Sequence, residues 1–186
     1  SVGKSNIIWN TIGTIFATSV SVVLLMIVSR FSSPEVADVF SFSFTVAQQL
    51  YVIGLFGVRQ FQSTDVSEKN SFLEYFLSRV LTVILMVVTL FFYIRFTNVP
   101  NIYILPIIFL TIYRIFDSFS DIFQGLFQQH NRSDLAGKVL FSHSLLTILF
   151  FSISLIIFKN INISLFIILL INFILLVQHD KYYLNK

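Results

Sequence analysis

The sequence predicts an all-α, polytopic membrane protein, with six transmembrane helices forming a single domain over residues 1–186. Three observations carry this prediction. Hydrophobic residues fill 56% of the chain and charged residues only 11%, against about 25% charged in soluble domains. Each long apolar run is close to one bilayer crossing, which takes about 20 helical residues. Lys and Arg are spread unevenly between alternate loops. So few charges cannot cover a soluble surface, and so many apolar residues exclude disorder. The mean hydropathy of +0.86 agrees. With 6 Gly and 3 Pro the chain is neither collagen-like nor a linker, and with no Cys it has no disulfides, zinc-thiolate sites or cysteine nucleophiles.

The first span is Ile7 to Val28. The uncharged stretch around it, Ser5 to Ser29, exceeds a signal-peptide core of about 7–15 residues, and no Ala-x-Ala site follows. It is read as a retained span. The second, Val39 to Val58, lies between Asp38 and Arg59. The third, Phe76 to Arg95, has its uncharged centre from Val80 to Ile94. The fourth covers 102–123 with Pro106 in its first turns, where a missing N–H is best tolerated. The fifth is Val139 to Phe158 and the sixth Ile161 to Val177. Backbone amides in hydrocarbon must be satisfied internally, so these runs are helices or strands of a closed barrel. Barrel strands alternate over about 10 residues, and only Phe40 to Phe44 does so. The longest loop expected is Arg59 to Tyr75 and the next His130 to Lys138. Neither holds a soluble domain.

Orientation follows from the loop cations. Lys4, Arg59, Lys69, Arg79, Arg132, Lys138, Lys181 and Lys186 lie on one side, and Arg30, Arg95 and Lys159 on the other. The richer side is expected to be cytoplasmic, with both termini there, as an even span count requires.

The fourth span carries the chemistry. Arg114, Asp117, Asp121, Gln124 and Gln128 recur at steps of 3, 4, 3 and 4, within an arc of roughly 80° on a helix. Ionisable residues inside a span usually face a bundle interior or a water-filled path. The competing reading is a structural pair of Arg114 with Asp117 or Asp121 near the interface, since a helix reaching Gln129 outruns the hydrocarbon. On the first span, Thr11, Thr14, Thr18 and Ser21 form a hydroxyl stripe, read mainly as a helix-packing face, with a polar path lining as the alternative. Gln48 and Gln49 sit near mid-membrane and are expected to face inward, where a buried amide finds partners. Gly54 and Gly57 close that span. His143 is read as an interfacial or satisfied core residue, or else a proton relay. Trp9, Tyr182 and Tyr183 fall where aromatic belts lie. There is no P-loop, His-Glu-x-x-His or Gly-x-Ser-x-Gly, so no enzyme activity, cofactor or metal is expected. The cations are too scattered for nucleic acid.

Two stretches carry a family resemblance. Residues 32–66, SSPEVADVFSFSFTVAQQLYVIGLFGVRQFQSTDV, and residues 113–138, YRIFDSFSDIFQGLFQQHNRSDLAGK, resemble the second and fourth helices, with their loops, of polysaccharide and lipopolysaccharide flippases of the multidrug/oligosaccharidyl-lipid/polysaccharide exporter superfamily. The Pro-Glu turn, Gly-x-Arg-Gln at Gly57 to Gln60, Arg-x-x-Asp at Arg114 to Asp117, Gln124-Gly125 and Ala136-Gly137-Lys138 carry the likeness, and Asn6 to Thr14 is also similar. Such proteins have two six-helix lobes around a partly cationic cavity. The resemblance therefore implies an N-terminal lobe that partners a missing C-terminal lobe or a second copy; the start at Ser1 hints at a fragment.

It also implies a multi-pass protein of the bacterial cytoplasmic (inner) membrane that moves undecaprenyl-pyrophosphate-linked oligosaccharide to the outer leaflet. Arg59 and Arg114 would pair with the pyrophosphate and Arg30 would sit at the outer mouth. Asp38, Asp117 and Asp121 would tune the field or couple to a proton or sodium ion. The alternatives are a multidrug or cation antiporter lobe, in which a carboxylate outweighs any arginine, and a nonfunctional truncated fragment. A membrane-embedded glycan or acyl transferase is a further alternative, for which Asp121 with His130 is the only offering.

Overall fold

Seven α-helices account for nearly all of the computed structural model, which describes residues 2–180 and the side-chain environments of 3–177. They are α1 (Val2–Phe31), α2 (Pro34–Leu55), α3 (Val58–Thr64), α4 (Phe72–Phe96), α5 (Asn101–Gln129), α6 (Ser133–Phe158) and α7 (Ile161–Ile174), after which Leu175–Asp180 continues as a π-helix. No strand occurs among the described residues. Lys181, Tyr182, Tyr183 and Lys186, read above as loop cations and belt aromatics, lie outside the described residues.

Local chemistry sets the helix ends. Ser33 caps α2 through the Val36 N–H, with Pro34 in the first turn where it loses no helical bond. Ser71 and Glu74 form a reciprocal capping box at the start of α4: the Glu74 N–H donates to Ser71 Oγ at 3.4 Å, and the Ser71 N–H to Glu74 Oε2 at 2.7 Å. Asn160 Oδ1 caps α7, accepting from the N–H groups of Asn162 and Ile163 at 2.9 and 3.3 Å. Phe56 (φ 40°) and Gly57 (φ 68°) adopt left-handed backbone, which ends α2 and redirects the chain into α3.

Several boundaries differ from expectation, and the expected His130–Lys138 loop is helical from Ser133 onward. The second span does not run to Val58 as one helix, because the left-handed pair stops it at Leu55. The Arg59–Tyr75 segment is not a loop: α3 occupies 58–64 and α4 begins at Phe72. Among the described residues five helical runs are long and apolar enough to cross a membrane, namely Gly3–Phe31, Pro34–Thr64, Phe72–Phe96, Asn101–Gln129 and Ser133–Phe158. The sixth apolar run, Ile161–Val177, is shorter.

Helix α1 lies along α6. Their backbones touch at Gly13 and Gly137, where an added Cβ on either residue would run into the other helix's main chain. Helix α2 packs on α5, α7 on α5 and α6, and α4 against α2 and α5. The main apolar core joins Val20, Leu24, Phe40, Phe44, Leu110, Phe151, Leu155 and Ile168 from α1, α2, α5, α6 and α7. It fills one half of the bundle. In the other half a polar space lies among α1, α2, α3, α5 and α6.

Candidate functional site

That space is a cavity of about 800 Å³ lined by α1, α2, α3, α5 and α6. All five members of the α5 stripe, Arg114, Asp117, Asp121, Gln124 and Gln128, lie along it. A period of 3.6 residues puts them on one face, and the apolar positions between them pack elsewhere. Thr14, Thr18 and Ser21 line the facing wall, and His143 and Ser144 reach in from α6.

Two charge clusters organise the cavity. In the first, Arg114 Nη1 holds Asp117 Oδ2 at 2.8 Å, one helical turn away, and Nη2 donates to Gln48 Oε1 at 2.6 Å. The guanidinium also sits 4.8 Å from the ring centroids of Phe44 and Tyr51 and 5.2 Å from that of Tyr113. Aromatic faces stabilise a cation without neutralising it. Among the described residues Arg114 Nε meets no acceptor.

In the second cluster Asp121 receives two arginines. Arg59 Nη1 donates to Oδ1 at 3.1 Å and Arg79 Nη2 to Oδ2 at 2.7 Å. Arg59 also donates to Gln124 Oε1 at 2.8 Å and to Gln128 Oε1 at 3.1 Å. Arg79 is 0% exposed and also donates to the Gly54 carbonyl, which takes a second bond from Thr82 Oγ1 at 2.8 Å. Helix α3 places Arg59: it turns back at Gly57 and packs closely on α5 because Gly125 has no Cβ to collide with Gln62. Counted together, Arg59, Arg79 and Arg114 face Asp117 and Asp121. The ion-paired set keeps one net positive charge, in surroundings where water screens weakly.

The remaining sequence-predicted residues are distributed less simply. Gln48 and Gln49 are both exposed rather than buried. Neighbours on a helix point about 100° apart, so only Gln48 meets Arg114. Gln49 lines a smaller groove of about 260 Å³ between α1 and α2, which shares Ser21 and Gln48 with the main cavity. Arg30 is exposed at the end of α1 and Asp38 at the start of α2. Neither lines the cavity, and Asp38 instead accepts from Tyr103 Oη at 2.7 Å. Two members of the α1 hydroxyl stripe bond within their own helix. Thr14 and Thr18 donate back to the carbonyls of Asn10 and Thr14, and the close approach to α6 is made by Gly13. His130 lies outside the cavity, 3.3 Å from Glu68, apart from Asp121. Trp9 packs on Phe141, with Lys138 over its ring.

Sequence reasoning missed Arg79 and Tyr51. Arg79 counted as a loop cation, yet the Ser71-x-x-Glu74 capping signal starts the helix early enough to place Arg79 two turns inside it. Tyr51 stands three residues after Gln48, on the same helix face.

Chemically the cavity offers guanidinium groups for an oxyanion and a ring of amides and hydroxyls (Gln60, Ser63, Gln124, Gln128, Ser120) for a polyhydroxylated ligand. The chain matches no protein-family model, no curated protein and no solved structure.

Proposed function

We propose that this chain is the N-terminal lobe of an exporter that carries undecaprenyl-pyrophosphate-linked oligosaccharide across the bacterial cytoplasmic membrane. One observation carries the reading: an apolar bundle holds a cavity of about 800 Å³ with Arg59 and Arg114 on its wall. That volume is in the range of about 300–1,000 Å³ typical of ligand sites. A pyrophosphate-linked sugar must cross about 30 Å of hydrocarbon. Arginines replace its solvation by bidentate pairing, while the amides and hydroxyls take over its hydrogen bonds to water.

The proposal includes six crossings with both termini cytoplasmic. The helical run beginning at Ile161 continues to Asp180, and the excess of Lys and Arg at the α3 end of the cavity supports a cytoplasmic location for that end. Thr14, Thr18, Gln48 and Gln60 are exposed along the cavity's open side. A second lobe or a second copy closes it, and rocking of the two halves alternates access. The antiporter reading ranks second because both cavity carboxylates are already engaged by arginines.

The test is leaflet transfer of a fluorescent polyprenyl-pyrophosphate oligosaccharide in proteoliposomes containing the chain with its second half. Arg114→Ala should slow transfer about tenfold to a hundredfold, the loss expected for a hydrogen bond to a charged group. An unchanged rate removes Arg114 from the mechanism. Loss on Asp117→Asn with Arg114→Ala unaffected favours the antiporter.

A further inference from the structure

We propose that Asp121 is the hub of a clamp with two unequal arms: Arg79 is a fixed positioning residue, and Arg59 is the arm that leaves the carboxylate for an oxyanion of the phosphate class. The proposal rests on the anionic-cargo reading of the cavity and adds how that cargo is admitted.

The two arms hold different oxygens of the same carboxylate, Arg59 on Oδ1 and Arg79 on Oδ2. Their surroundings differ. The Arg79 side chain is 0% exposed and does not line the cavity. Bonded to the Gly54 carbonyl of α2 and to Asp121 of α5, it ties three helices together and has no solvent to move into. The Arg59 side chain is 21% exposed and lines the cavity. It rides on a seven-residue helix that follows the left-handed turn at Gly57. Its other partners, Gln124 and Gln128, are neutral acceptors, which an anionic oxygen outbids.

A buried carboxylate stripped of its partner is costly, so a lone Arg59–Asp121 pair would resist any ligand. With Arg79 staying behind, Asp121 remains paired after Arg59 departs. The exchange then trades one charged contact of Arg59 for another. Arg114, two helical turns earlier on the same face of α5, ion-paired with Asp117 at 2.8 Å and flanked by the Phe44 and Tyr51 rings, supplies the second cation for the same anion.

The test uses inorganic pyrophosphate as the probe, with calorimetric titration of the chain in lipid nanodiscs. The wild type should bind, and Arg59→Ala should lose binding. Asp121→Asn should tighten it about tenfold or more, since it frees a charge-assisted donor. Arg79→Ala should weaken binding, because Asp121 then keeps Arg59 for itself. The double variant Arg79→Ala/Asp121→Asn should restore binding, a rescue that a merely structural Arg79 does not predict. If Arg79→Ala fails to accumulate, Asp121→Asn carries the test alone.

Absent wild-type binding, wild-type affinity in Arg59→Ala, or unchanged or weaker binding in Asp121→Asn overturns the clamp. Competition by polyprenyl pyrophosphate in the same nanodiscs supports the clamp with a lipid-borne anion as its source. Pyrophosphate binding without such competition supports it with a free anion. Expected pyrophosphate behaviour combined with absent leaflet transfer overturns the exporter reading and leaves the clamp standing.

Discussion

Replacing Arg79 by alanine should be the most damaging single change in the polar half of the bundle. The side chain is 0% exposed and makes two charge-assisted bonds, one to Asp121 Oδ2 at 2.7 Å and one to the Gly54 carbonyl. Removing one partner of a buried ion pair typically destabilises by about 3–5 kcal/mol. Two features place this site at the lower end. Asp121 keeps Arg59 on its other oxygen at 3.1 Å, and the Gly54 carbonyl keeps Thr82 at 2.8 Å. The expected loss is therefore about 3 kcal/mol, against about 1 kcal/mol or less for Arg59→Ala, whose side chain is partly solvated. The assay is reversible unfolding in mixed lipid and SDS micelles, following helix content. Arg79→Met, which retains most of the volume, separates charge from packing and should recover less than half of the loss. Arg79→Ala and Arg59→Ala falling within about 0.5 kcal/mol of each other would refute the reasoning, since additivity at independent sites is good only to that level.

Other consequences concern different parts of the molecule. Gly137→Ala places a methyl group against the Trp9 and Asn10 backbone of α1; overpacking costs about 1–3 kcal/mol or more, and a cross-link between engineered cysteines on α1 and α6 should form more slowly. Ser71→Ala removes the cap of α4 and should cost about 1 kcal/mol in the same unfolding assay. Asp65 accepts the N–H groups of Asn70 and Lys69, which hold its carboxyl below the ordinary range, helped by Tyr75 Oη at 2.9 Å. A depressed folded pKa means that this stabilisation is fully present above the unfolded value of about 3.9 and is lost as pH falls through the lower folded value. Amide exchange at Lys69 and Asn70 should accordingly stay protected from neutral pH downward and fail as pH falls through the lowered folded value, and Asp65→Ala, which leaves no acceptor, should remove the protection at every pH.

Much of the fold was legible because a bilayer imposes length and polarity on a helix at once. The runs at Ile7–Val28, Phe76–Arg95 and Val139–Phe158 all lie inside observed helices. The α5 stripe was legible for the same kind of reason: five polar residues at helical spacing have one inward face available. What escaped were features set by backbone and by partners distant in sequence. The break at Phe56 and Gly57 turns an expected loop into α3 and brings Arg59 to Asp121, 62 residues later. Arg79 was counted with the loop cations because it borders the uncharged centre of the third span, which begins at Val80. Gln49 was grouped with the site by polarity, and Arg30 and Asp38 by the family resemblance; neither signal reports the direction in which a side chain points. Thr14 and Thr18 of the α1 stripe donate to carbonyls of their own helix, so the stripe's spacing marked a face without saying whether a helix or water covers it.

The account depends on the α5 stripe facing water inside an apolar bundle, and the absence of native cysteines makes that directly measurable. Single cysteines at Thr18, Gln124 and Gln128 on the cavity, and at Leu81 and Leu85 on the apolar outer face of α4, would be challenged with a charged, membrane-impermeant thiol reagent in oriented vesicles. Thr18→Cys and Gln128→Cys should react readily, Gln124→Cys more slowly because it is buried, and Leu81→Cys and Leu85→Cys hardly at all although their side chains are well exposed in the protein. Labelling of the α4 pair with silence along the cavity would contradict the account at its foundation.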